Sequence, residues 1–144
     1  MELEALQEIS SEVSALGARI VAITPELERY TRNLRKKLNL TFDILTDRHL
    51  TVAEQFRLVF VLPDSLIALY KSNGVTLDRF HDESEYRLPM PARYVIDQAG
   101  VIRGADVNAD YTIRPEAAET LQILRGCCTS LQGKSRPPIG TALN

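Results

Sequence analysis

Sulfur, tryptophan and long apolar runs are all scarce in this chain of 144 residues. There is no tryptophan and there are only two cysteines, two histidines and two methionines. The cysteines, Cys127 and Cys128, are adjacent and near the carboxyl end, so they cannot cross-link a disulfide framework. His49 and His81 lie far apart and show no metal-ligand spacing, so no metal and no other cofactor is expected. No apolar run approaches the ~18 residues of a membrane span, and the amino terminus is acidic and amphipathic where a signal peptide would be basic and then apolar. Neither sign of charge prevails, with 17 Lys and Arg against 19 Asp and Glu and a pI near 5.7. Nothing therefore draws the chain to nucleic acid or an anionic membrane. These absences leave a cytoplasmic protein as the expectation, and its 44% hydrophobic content suits one ordinary domain.

What is present reads as alternating helices and strands. Leu3, Leu6, Ile9, Val13 and Leu16 recur at steps of three and four and Gly17 follows, the pattern of an amphipathic helix with a left-handed cap. "RIVAIT" has the β-branched character of a strand buried on both faces. Thr24 and Pro25 then stand as N-cap and first residue of a second helix, lined by Leu27, Tyr30, Leu34 and Leu38 and ended by Asn39. Its "RNLRKK" run is read as a solvated face. "FDILTD" predicts a strand, "HLTVAEQF" a short helix, "RLVFVLP" a strand or a buried connector, and "SLIALYKSNG" a helix with Asp64 as N-cap and Gly74 as terminator. Residues 75–88 lose periodicity and gather charge, which predicts a long loop.

The stretch "LPMPARYVIDQAGVIRG" is the most informative. Pro91 has no N–H for a ladder, so the strand begins at about Ala92. Asp97 and Gly100 occupy positions that a tight turn favours, and "VIRGADVN" returns as the second strand of a hairpin. "PEAAETLQIL", with Ala118, Leu121 and Leu124 on one stripe, predicts a closing helix. Residues 126–144 hold Gly, Ser and Pro without periodicity and are expected to form a flexible tail.

Four segments in order, "ELEALQ", "IVAITP", "LTFDILTD" and "LPMPARYVIDQAGVIR", resemble the peroxiredoxin-like branch of the thioredoxin-like superfamily, the alkyl hydroperoxide reductase and thiol-specific antioxidant proteins. The likeness covers about residues 2–125. It implies an α/β thioredoxin-like fold with a central mixed sheet flanked by helices, divided here into a domain at 1–125 and the tail at 126–144. It implies thiol-dependent peroxide reduction or thiol-disulfide exchange as the family chemistry. It also implies a cis bond before Pro91, which would shape the groove beside the reactive cysteine. The arginine that many such proteins carry at this place is missing, and Arg93, two residues on, is read as structural.

In the family, a core strand and a turn bearing the peroxidatic cysteine come immediately before the helix that opens this chain, where Met1 and Glu2 stand instead. The resemblance thus predicts an amino-terminally truncated domain without peroxidase activity, whether Met1 is an internal start of a longer reading frame or the chain is a non-catalytic binding module. Cys127 and Cys128 remain the only candidates for redox groups. A central strand missing between "RIVAIT" and "ARYVID" would leave two unpaired edges, so a homodimer is expected. A protein or peptide at the groove near Pro91 is the other partner considered.

Overall fold

The computed structural model describes residues 2–74, 86–110 and 115–132, with the side chains of 128–132 left aside. The opening amphipathic stretch forms two helices, α1 (Glu2–Glu8) and α2 (Ser10–Ala15), where one was expected. Side-chain bonds meet at the break. Ser10 turns its hydroxyl back onto the Gln7 carbonyl at 2.8 Å, while the Gln7 side chain is drawn off to accept from the Thr41 N–H at 2.8 Å. Gly17 then ends α2 in the left-handed region at φ +73°, as the sequence requires.

Strand β1 (Val21–Thr24) pairs in parallel with β2 (Asp43–Thr46), and α3 (Glu28–Lys37) crosses between them and packs on β2. Helix α3 begins later than Thr24 and Pro25 suggest. Thr24 Oγ1 accepts the Glu26 N–H at 3.3 Å and so closes a turn, and Leu27 is the residue that precedes the helix, with no side-chain cap. At the far end Asn39 takes φ +50° and stops the helix, as expected.

A 3-10 turn (Arg48–Leu50) leads into α4 (Thr51–Gln55). The sequence reading missed what holds this joint. Asp47 is buried, and its two carboxylate oxygens accept the Val52 and Ala53 N–H groups at 2.9 Å each. His49 and Leu50 both sit at φ +56° in the tight turn, and Leu50 is fully buried.

Strand β3 (Val59–Val61) follows, then α5 (Asp64–Ser72), ended by Gly74 at φ +71°. Pro63, in extended backbone, precedes α5, so Asp64 is its first residue and not its cap. Most of the expected long loop, 75–85, lies outside the described residues. Its end does not behave as a loop: β4 (Arg87–Pro89) pairs antiparallel with β3. That pairing links residues some thirty apart in sequence, so local pattern could not reveal it.

Strands β5 (Ala92–Ile96) and β6 (Ile102–Val107) form the expected antiparallel hairpin, starting at Ala92 and turning at Gly100, φ +79°. Helix α6 (Ala117–Gln132) closes the chain against β5, β6 and α2. It runs through 126–132, the first part of the segment expected to be a tail, because the leucine stripe of 121 and 124 continues at Leu131 without a proline before Pro137. Residues 133–144 lie outside the described residues.

The architecture is α/β, and among the described residues its strands form three two-stranded ladders, β1–β2, β3–β4 and β5–β6. Val21 and Val95 are not on hydrogen-bonded neighbours, so β1 and β5 have not closed on each other. The "RIVAIT" strand departs from its expected double burial, since Val21 and Ile23 are 42% and 52% exposed. Among the described residues the buried core is built from Val13, Leu40, Phe42, Leu50, Ala53, Leu62, Val95 and Leu121. No described helix is long and apolar enough to cross a membrane.

Candidate functional site

Pro91 sits half-buried at the head of β5, just outside the ladder, where its missing N–H does no harm. The bond before it is trans, because no cis peptide bond occurs among the described residues, and this corrects the expectation drawn from the family resemblance. Trans is the ordinary isomer of an X–Pro bond. The Met90 N–H is held by the Leu58 carbonyl at 2.8 Å, and the Pro91 carbonyl accepts the Asn108 N–H at 3.4 Å, so the chain is drawn out extended on both sides.

Arg93 is the most heavily engaged polar side chain near Pro91. Its side chain is only 12% exposed and lies on the face of β5 that meets α1 and α6. One nitrogen donates to Glu2 at 3.0 Å, and another to Thr120 Oγ1 at 3.1 Å and to the Glu116 carbonyl at 3.3 Å. Its Nε is buried and lacks a partner. A buried guanidinium must be paired to be tolerated, and here it ties the first helix, the hairpin and the last helix together. The sequence reading of Arg93 as structural agrees with this arrangement, although its partners are 23 to 91 residues away and left no local signal.

The hairpin turn carries a carboxylate held by several donors. Asp97 accepts the Val101 and Ala99 N–H groups at 2.9 Å each and the Arg103 Nε–H at 2.7 Å. The Val101 bond, then the Arg103 bond, hold its carboxyl below the usual carboxylate range, against a slight opposing effect of burial.

Cys127 lies half-buried in the second half of α6, and Cys128 follows it in the same helix. Pro91 and the two cysteines therefore stand on different elements, at the head of β5 and late in α6. Among the described residues no group of histidine, cysteine and acidic side chains could hold a metal ion.

Two concavities lie elsewhere. An open cleft of about 450 Å³ is lined by Glu4, Ala5, Gln7, Glu8 and Leu38. A smaller one, about 150 Å³, includes Ser14, Arg19, Val21, Thr41 and Asp43. Neither includes Pro91, Arg93 or Cys127.

The helices flanking a parallel pair and an antiparallel hairpin, with a proline heading the hairpin's first strand, are elements of a thioredoxin-like α/β fold. The sequence model of the AhpC/TSA family matches residues 1–105, and the chain belongs to that family. Among solved structures it is similar to the peroxidoxin BcpB from Mycobacterium tuberculosis, at 17% identity and a TM-score of 0.65, over 87% of this chain and 68% of that one. No curated protein matches the sequence.

Proposed function

We propose that this chain is a peroxiredoxin-family domain that does not turn over peroxide, with any thiol chemistry confined to Cys127 and Cys128. The observation that carries the reading is where the sulfur lies. Reduction of a hydroperoxide needs a thiolate that attacks the O–O bond, forming S–O while the leaving oxygen departs and takes up a proton. Such a thiolate is favoured at a helix amino end, where the dipole and free N–H groups stabilise an anion. The only two cysteines of the sequence are in the second half of α6, toward the helix end that disfavours negative charge. Helix α1 offers two acidic residues, Glu2 and Glu4, in its first turn, and Glu2 is committed to Arg93.

A binding module that takes a peptide strand beside Pro91 has less behind it. Two backbone groups there, the Met90 N–H and the Pro91 carbonyl, are already bonded within the chain.

The test is consumption of hydrogen peroxide and of an organic hydroperoxide by the purified chain with a thiol reductant. The expected rate is that of the reductant alone. Catalytic turnover that disappears in Cys127→Ser or Cys128→Ser would overturn the reading and make those cysteines catalysts.

A further inference from the structure

The smaller of the two concavities, about 150 Å³, is lined by Val21 and Asp43, the first residues of β1 and β2, and so lies at one end of the open face of that pair. On this face Val21 and Ile23 stand exposed beside their register partners Asp43 and Leu45. Two opposite charges share the cleft without pairing with each other. Arg19, exposed just before β1, has no ion-pair partner among the described residues. Asp43 bonds Arg35 through one carboxylate oxygen at 3.0 Å, and its side chain is 66% exposed with a second oxygen to offer.

The parallel register limits how far apart these charges are anchored. Asp43 is opposite Val21, and Arg19 stands two residues before Val21, so the offset along the chain is at most about 7 Å. A single small molecule can satisfy both. The carboxylate and ammonium of an α-amino acid are about 3 Å apart, and a hydrogen bond of about 2.8 Å at either end brings the reach from Arg19 to Asp43 to the same scale. A bare anion would set its charge against Asp43, and a bare amine would meet Arg19, so neither is matched alone. The rest of the lining agrees with this chemistry: Ser14 adds a hydroxyl, and Ile20, Val21 and Phe42 add apolar carbon. At about 30 Å³ per water, 150 Å³ is the room of roughly five waters, which suits a ligand of amino-acid size.

We propose that this cleft binds a free α-amino acid with an apolar side chain. Its carboxylate lies on Arg19, its ammonium on Asp43 and its side chain against Val21 and the apolar strip beyond. Selectivity comes from carrying both charges on one carbon, because loss of either leaves a charge of the protein unmatched. The site shares no residue with Pro91, Arg93 or the cysteines and is independent of the peroxide reading above.

Titration of the full chain with free leucine, read by amide chemical shifts, tests it. Saturable shifts are expected at Arg19, Val21 and Asp43, with a dissociation constant on the order of 1 mM for a ligand of so few atoms. N-acetyl-leucine lacks the ammonium and leucinamide lacks the carboxylate, and each is expected to bind at least about tenfold more weakly. Arg19→Gln gives up no ion pair and is expected to keep the fold, with circular dichroism as the check. It should lower leucine to the level of leucinamide and leave leucinamide unchanged, a pattern that a structural role alone would not produce. Asp43→Asn should likewise lower leucine to the level of N-acetyl-leucine. Absence of saturable shifts at tens of millimolar leucine would overturn the proposal. So would shifts centred elsewhere in the chain, or equal binding of leucine, N-acetyl-leucine and leucinamide.

Discussion

The hairpin β5–β6 and the parallel pair β1–β2 are built from similarly β-branched sequence and both keep apolar side chains exposed, yet only the hairpin buries one of its strand residues, Val95, and is tied down by Arg93. Val95 in the hairpin is 6% exposed, and Ile23 in the parallel pair is 52% exposed. The hairpin is closed by a turn that Asp97 organises over six residues, and Arg93 pins it to both ends of the described chain. At Gly104 the sheet lets α6 come so near that an added Cβ would stand 2.7 Å from Ile123. The parallel pair has no turn of its own, since its strands are joined through α3, and it keeps one helix-covered face only. Local chemistry can finish a hairpin. A parallel pair depends on what distant elements, or other chains, lay against it.

The sharpest way to break this contrast is to truncate the packed strand. Val95→Ala removes buried carbon from the centre of the hairpin and is expected to cost roughly 2 kcal/mol in denaturant unfolding. A loss near zero would mean that the hairpin is no better packed than the parallel pair. Arg93→Met keeps the volume of the side chain but abandons Glu2, Thr120 and the Glu116 carbonyl, and about 1 to 2 kcal/mol is expected to be lost. The same variant should loosen α1, seen as faster amide exchange in Glu4 to Glu8 relative to β2.

Asp97 gives a smaller effect that depends on pH. Its folded carboxyl titrates below its unfolded value, so its contribution is present above the unfolded pKa and is lost as pH falls through the folded one. Asp97→Asn is therefore expected to lower the denaturation midpoint at neutral pH and to converge on the parent below the ordinary carboxylate range. A difference that stays constant down to strongly acidic pH would show that charge at the turn does not matter. The smallest effect is expected at the open face. Ile23→Thr keeps the β-branch and should change the stability of the monomer by no more than about 0.5 kcal/mol when measured at a concentration too low for association.

The two regions also differ in how plainly the sequence announced them. Pro91, Asp97 and Gly100 each have a conformational reason to stand where they do within a dozen residues, and the hairpin could be read residue by residue. Gly17, Asn39 and Gly74 ended their helices for the same local reason, a left-handed residue at the stop. What stayed hidden was non-local. The β3–β4 ladder, the Asp47 carboxylate over α4 and the three bonds of Arg93 depend on groups brought together only by folding. The expected double burial of "RIVAIT" failed because β-branched composition records a preference for a pleated strand and not which of its faces will be covered. The bond before Pro91 was expected to be cis from the family likeness alone, with no local signal in the sequence behind it, and it is trans. Of the candidate site, the cysteines could be found by composition alone, but their place late in a helix that reaches Gln132 could not, because the segment's Gly, Ser and Pro content hid its continuing leucine stripe.

Native-state hydrogen exchange compares the two regions most directly. Amides of the β5–β6 ladder, such as those of Arg93 and Asp106, are expected to exchange only with global unfolding. Those of β1 and β2 are expected to exchange at least about tenfold faster, through local opening of a pair that buries none of its own strand residues. Equal protection across both ladders, at a concentration where the chain is monomeric, would contradict the account.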